Sequence, residues 1–165
     1  MKRLAALALL ACFGCAHAAA PEVGSTAPPF SAQLLDGTRF SLPAGHDRVV
    51  LINFWATWCE PCQAELAAFA AYMRAHPQAP LTIIAVSMDD PERRAQVAQV
   101  AAKLPFAVAI ADNVKAERYG RIWRLPMSFV VDRAGVLRVD GGRGEQVPFD
   151  LPTLERTITP LLQNE

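Results

Sequence analysis

Apolar and polar positions along this 165-residue chain switch between two periods, and each switch marks an element. Residues 30–34 and 39–42 are short runs of strand formers on either side of Asp36-Gly37, a dipeptide that favours a tight hairpin. Residues 49–54 (VVLINF) and 81–86 (LTIIAV) are nearly continuous apolar runs, the pattern of strands covered on both faces. Between them, 63–74 is helix-forming, and Leu66, Phe69, Ala70 and Met73 recur at three- and four-residue steps. Pro61 suits the first turn of that helix, and His76-Pro77 stops it. Asp90-Pro91-Glu92 opens a second helix, expected to reach about Leu104 with Val97, Val100, Ala101 and Leu104 on one face. A short strand over 106–110 and a short helix over 114–119, ended by Gly120, come next. A hairpin of 127–131 with 136–139 and an amphipathic helix over 151–162, shortened by Pro160, close the chain.

That order predicts an α/β fold: a mixed sheet with helices on both faces, parallel where helices cross over and antiparallel at the hairpins. The length fits one domain, able to bury most of its apolar surface without disulfide staples. The start of the chain stands apart. Lys2 and Arg3 precede a charge-free apolar run over 4–13, small residues follow, and Ala16-His17-Ala18 fits the small-x-small cleavage rule. Residues 1–18 are therefore expected to be a signal peptide and 23–165 the folded domain. The apolar run is short for a bilayer span, which takes roughly 20 residues. Leu9-Leu10-Ala11-Cys12 loosely resembles a lipoprotein processing site, so cleavage after Ala18, a lipid on Cys12 and an uncleaved anchor all stay open. Export puts the domain in the periplasm or at the extracytoplasmic face of the membrane, where disulfides persist.

Lys+Arg and Asp+Glu balance at 16 each, which argues against nucleic acid or an anionic membrane as the main partner. A charged fraction of 19% beside 52% hydrophobic residues excludes wholesale disorder. Loss of the signal removes Lys2 and Arg3 and leaves the domain mildly acidic.

The chemistry gathers at one strand-to-helix junction, Trp58-Cys59-Glu60-Pro61-Cys62. Two cysteines three apart at a helix start are close enough for a small disulfide ring. Cys59 falls in the first turn, where free backbone N–H groups and the helix dipole favour a thiolate, below the roughly 8.5 pKa of a free thiol. Cys62, one turn further in, is more shielded and acts second. Such a pair performs thiol–disulfide exchange through a mixed disulfide. Other readings weigh less. No second CxxC or HxxxH completes a zinc site, and His46 and His76 stand alone beside turn and helix-end signals. The run Ile52 to Thr57 lacks the Pro-and-Thr pattern of a single-cysteine peroxidase. Two thiolates can hold copper, so a copper or thiol carrier is the alternative function. No metal and no cofactor beyond a Cys59–Cys62 disulfide are expected.

LINFWATWCEPCQAEL resembles the active site of thioredoxin-fold proteins, and most closely the exported TlpA/ResA-type thiol:disulfide reductases. PPFSAQLLDGTRFSL resembles their extra N-terminal hairpin, LTIIAVSMDDPE their central strand and the start of an inserted helix, and YGRIWRLPMSFVVDRAGVL their cis-proline segment. The resemblance implies a thioredoxin fold with Cys59 attacking, Cys62 resolving and Pro126, in cis, facing the disulfide. The backbone of Leu125 would pair with an extended substrate segment. Trp55, Trp58 and Trp123 would wall the site or simply pack in the core. Glu65, three residues after Cys62, would relay a proton to that thiol or be an ordinary solvated carboxylate. Asn53 stands where cytosolic thioredoxins carry a buried aspartate, which shifts weight onto Glu65. Met127 follows the cis-proline where Thr or Glu is common, and its apolar, flexible thioether suggests a different substrate contact.

Glu60 sets a negative charge beside Cys59, which disfavours the thiolate and makes the couple more reducing. The implied function is that of a protein-disulfide reductase with Glu60 and Pro61 at the rim of its groove. The implied partners are a disulfide-bearing protein, with apocytochrome c as the leading case, and an upstream membrane thiol reductase. The chain is expected to act as a monomer.

Overall fold

The computed structural model describes residues 22–42, 47–143 and 148–163. The expected signal peptide and His46 lie outside the described residues. Within them the strands are β1 (Phe30–Leu34), β2 (Arg39–Leu42), β3 (Val49–Trp55), β4 (Leu81–Ser87), β5 (Ala107–Lys115), β6 (Met127–Val131) and β7 (Leu137–Asp140). The helices are α1 (Glu60–Ala75), α2 (Arg94–Ala101), α3 (Leu151–Thr157) and α4 (Thr159–Gln163). All seven strands join one sheet in the order β2-β1-β5-β4-β3-β6-β7. β3 runs parallel to β4 and β4 to β5, the two links made through α1 and α2. The hairpin partners and the β1·β5 and β3·β6 pairs are antiparallel. This is the mixed sheet expected of alternating strands and helices.

Every residue of β3 is buried, because the strand is central and covered on both faces. Alternate side chains serve two cores. Leu51 and Trp55 meet Leu66, Phe69 and Tyr72 of α1, Val97 of α2 and Leu154 of α3 on one face. Val50, Ile52 and Phe54 meet Phe30, Phe129 and Tyr119 on the other. Among the described residues, helical cover on that second face is the 3₁₀ turn Glu117–Tyr119, whose Tyr119 ring stands edge-on to Phe129 at 4.9 Å.

Three elements differ from their expected form. β5 runs on through Lys115, where a short helix was expected from 114, because Val114 and Lys115 pair with Ala32 and Ser31 of β1. Only the 3₁₀ turn and Gly120 (φ 83°) remain of that helix. The second helix starts as a 3₁₀ turn, Pro91–Arg93, and ends at Ala101, short of Leu104. Pro105 disfavours helical backbone at Leu104, and residues 102–104 close as turns. The last helix divides at Ile158, since Pro160 has no N–H for the helical ladder.

Gly141 follows β7 and lies against β6, where a Cβ would collide with the Ser128 carbonyl oxygen and amide nitrogen. Gly141→Ala is expected to cost roughly 1–3 kcal/mol, read as a lower denaturant midpoint at unchanged slope.

Candidate active site

β3 ends at Trp55 and α1 begins at Glu60, so four residues turn the chain from sheet to helix. The last of them, Cys59, is the N-cap, with extended backbone and its sulfur accepting the Cys62 N–H at 3.3 Å. Cys59 and Cys62 are joined in a disulfide whose Cα atoms are 5.2 Å apart. Both cysteines are buried, Cys62 fully and Cys59 with 5% of its residue surface exposed. Pro61 occupies the first turn, where its missing N–H costs nothing, and both it and Glu60 are exposed. Two ties hold the turn to the end of β4. The Met88 N–H donates to the Trp55 carbonyl at 2.8 Å, and the Asp89 carboxylate accepts from both the N–H and the hydroxyl of Thr57.

Glu65 lies one helical turn after Cys62 and is buried, not solvated. Its Oε1 accepts the Phe149 N–H at 3.0 Å, and its Oε2 accepts from the Asn53 amide at 3.1 Å. Asn53 also donates to the Ser128 hydroxyl at 2.9 Å, while its Oδ1 has no hydrogen-bond partner among the described residues. Burial pushes the Glu65 carboxyl above the ordinary glutamate range, and the two hydrogen bonds oppose that rise without cancelling it. The described residues beside it leave a cavity of about 350 Å³, lined among others by Glu65, Pro126, Met127, Ser128 and Thr153.

The Leu125–Pro126 bond is cis, as expected. Leu125 is half-buried and touches both cores. The three tryptophans part company. Trp55 is core, whereas Trp58 and Trp123 are 62% and 60% exposed, the latter with the Arg124 guanidinium 4.6 Å above its ring. Met127 opens β6 opposite Phe54, packs into the second core at 2% exposure, and also lines the cavity beside Glu65. His76 ends α1 and pairs with Glu155 at 2.9 Å. Among the described residues, no three His, Cys, Asp or Glu side chains converge in a way that could hold a metal ion.

Comparison with known proteins agrees with this geometry. The model of the AhpC/TSA family matches residues 23–140. The chain belongs to the AhpC/TSA family. Its relatives include the thiol-disulfide oxidoreductases ResA of Bacillus thuringiensis and Bacillus anthracis, each 30% identical over 141 residues that cover 84% of this chain and 80% of theirs. The sporulation thiol-disulfide oxidoreductase A of Bacillus subtilis is 27% identical over 132 residues, covering 78% and 79%. Among solved structures, a thiol:disulfide interchange protein DsbE from Chlorobium tepidum superposes with a TM-score of 0.68 at 25% identity, over 87% of this chain and 99% of that one. StoA from Bacillus subtilis, at 24% identity, 81% and 99% coverage and a TM-score of 0.60, shares the thioredoxin-like fold. The protein is a thiol-disulfide oxidoreductase.

In this member of the family, several residues around the couple escape a reading of the sequence alone. Ser128 of β6 accepts from Asn53 and the Phe149 N–H, from the segment before α3, donates to Glu65, and neither carries a motif. Asp89 is visible only as a polar residue two positions past a buried strand, a weak signal for a functional tie. Asn53 is legible as a polar break in an apolar run, but its role as a donor to Glu65 is not.

Proposed function

We propose that this oxidoreductase is exported and works mainly as a protein-disulfide reductase. The observation that carries the reading is a disulfide with one shielded and one N-capping sulfur, with a buried carboxyl one turn behind it. In the reduced enzyme the Cys59 thiolate attacks a substrate disulfide, forming a Cys59–substrate bond and releasing one substrate thiolate. Cys62, after losing its proton toward Glu65, attacks Cys59, and the second substrate sulfur leaves as a thiol. The substrate gains two electrons and the proton given up by Cys62, solvent protonates the thiolate released first, and the enzyme ends with the Cys59–Cys62 disulfide. An upstream membrane dithiol returns the two electrons.

Three features support the direction and the partner class. Glu60, exposed beside Cys59, opposes the thiolate and so favours the oxidised enzyme. Trp58 and Trp123 offer exposed aromatic surface to a polypeptide, and Leu125 before the cis-proline supplies backbone for an extended segment. The basic, apolar, small-residue order of residues 2–18 supports export to the periplasm. A peptide with two closely spaced cysteines, as in the CxxCH of apocytochrome c, suits a groove of this kind.

Equilibration with glutathione buffers tests the direction. The couple is expected nearer the roughly −270 mV of a thioredoxin than the roughly −120 mV of a strong oxidant. An oxidant-like value overturns the reductase reading. Trp58→Ala is expected to leave stability within about 0.5 kcal/mol, since the ring is exposed, and to raise KM several-fold for a CxxCH peptide disulfide. An unchanged KM removes Trp58 from the groove.

A further inference from the structure

Asp89 takes no part in the exchange steps, yet its carboxylate is committed to the turn that carries Cys59. It stands just past β4 and is 6% exposed. Oδ2 accepts the Thr57 N–H at 2.8 Å and the Ser87 hydroxyl at 2.9 Å, and Oδ1 accepts the Thr57 hydroxyl at 2.5 Å. The Ser87 hydroxyl in turn accepts the Asp89 N–H at 3.1 Å. Two donors of one residue thus meet the two oxygens of one carboxylate. This is a bidentate tie between β4 and the residue two before Cys59.

We propose that Asp89 is a positioning residue for the redox couple. By holding Thr57 it makes Cys59 enter α1 as the N-cap, with its sulfur aimed at the Cys62 N–H. The reason lies in the geometry of a helix start. The N–H of an N-cap makes no helical bond; that of Cys59 donates back to the Ala56 carbonyl at 3.2 Å, so its φ and ψ depend on the turn before it. The thiolate gains from the Cys62 N–H and the helix dipole only while the sulfur stays on that axis. A free turn lets the cap fray, and the thiolate loses that stabilisation.

Charge and position make opposite predictions here. The charged and titratable groups on these elements near the couple are Glu60 and Glu65 of α1 and Asp89 after β4, while Arg124, two residues before the cis-proline, bonds the Gly141 carbonyl. If Asp89 acted through its charge, neutralising it would lower the Cys59 pKa. If it acts through Thr57, losing the tie raises that pKa although a negative charge has gone.

The inference rests on Cys59 being the accessible thiol of the couple, so the test begins there. The reduced full-length protein is alkylated with iodoacetamide across a pH series, and the modified cysteine is mapped by mass spectrometry. Preferential modification of Cys62 would overturn the assignment of the attacking thiol, independently of Asp89. With Cys59 as the faster site, Asp89→Asn and Thr57→Val are each expected to raise its pKa by about half a unit or more, which slows alkylation at pH 7 several-fold. Thr57→Ser, which keeps both donors, is expected to retain the wild-type pKa. A lowered pKa in Asp89→Asn with none in Thr57→Val would assign a charge effect and overturn the proposal. An unchanged pKa in Thr57→Val with a lower melting temperature would reduce the tie to a structural one and also overturn it. Thr57→Val keeps the carboxylate, so the proposal remains testable if Asp89→Asn does not fold.

Discussion

Cys59→Ser is expected to bring turnover of a peptide disulfide down to the uncatalysed background, a loss of roughly a thousandfold or more. The substitution separates chemistry from folding. Serine is a good N-cap and its oxygen can accept the Cys62 N–H that the sulfur accepts now, so the helix start persists. A hydroxyl is not ionised at neutral pH and does not attack sulfur, so the exchange stops. The melting temperature should match that of the reduced wild-type protein, which has the same open ring. Cys62→Ser is expected to behave differently: attack survives and resolution fails, so a mixed disulfide accumulates and is released by dithiothreitol. The captured partner should map to Cys59, the cysteine of the pair that this variant retains. Wild-type turnover in Cys59→Ser would remove Cys59 from the mechanism. Capture in the exporting cell would also identify the substrate.

Glu65→Gln should slow reduction roughly ten- to a hundredfold at pH 7 and flatten the pH–rate profile, while leaving the protein folded. Burial holds the Glu65 proton to a higher pH in the folded protein than in the unfolded chain. Stability from this group is therefore fully present below the ordinary glutamate range and falls as pH rises through the raised folded value. Glutamine has no proton to lose, so the variant should match wild type below the ordinary glutamate range and gain on it as pH rises through the raised folded value. Asn53 can support the change by turning its amide. Its unpartnered Oδ1 then accepts from the introduced glutamine amide, and the Ser128 hydroxyl can donate instead. Thermal melts of the two proteins across that range check the sign, and a stability difference that shrinks with rising pH would contradict a raised carboxyl. Glu65→Ala is a harsher change. It leaves the Phe149 N–H and the Asn53 amide without their buried acceptor, at a cost of roughly 2–4 kcal/mol.

The linear chain already determined the hairpin of β1 and β2, the bounds of β3 and α1 to within a few residues, and the cysteine pair at their junction. All of these depend on neighbours within a turn or two: the period of apolar residues, the Asp36-Gly37 turn, a proline at a helix start. Sequence resemblance carried Pro126 further, to its cis bond. Long-range pairing decided what local pattern could not. The polar segment 111–115 became strand only because β1 lay beside it, from the other end of the chain. Met127 was drawn into the second core by its register against Phe54, and Trp55 was separated from Trp58 by the end of β3. Glu65 shows the division most sharply. Its spacing from Cys62 put it on the same helix face, but a solvated carboxylate and a buried proton carrier share that spacing. Burial by the surrounding fold raises its affinity for a proton, against the opposing pull of the hydrogen bonds from the Phe149 N–H before α3 and Asn53 of β3. Covalent spacing sets which groups can meet along a helix. Their charge state depends on what the rest of the fold excludes from around them, and only the tertiary structure settles that.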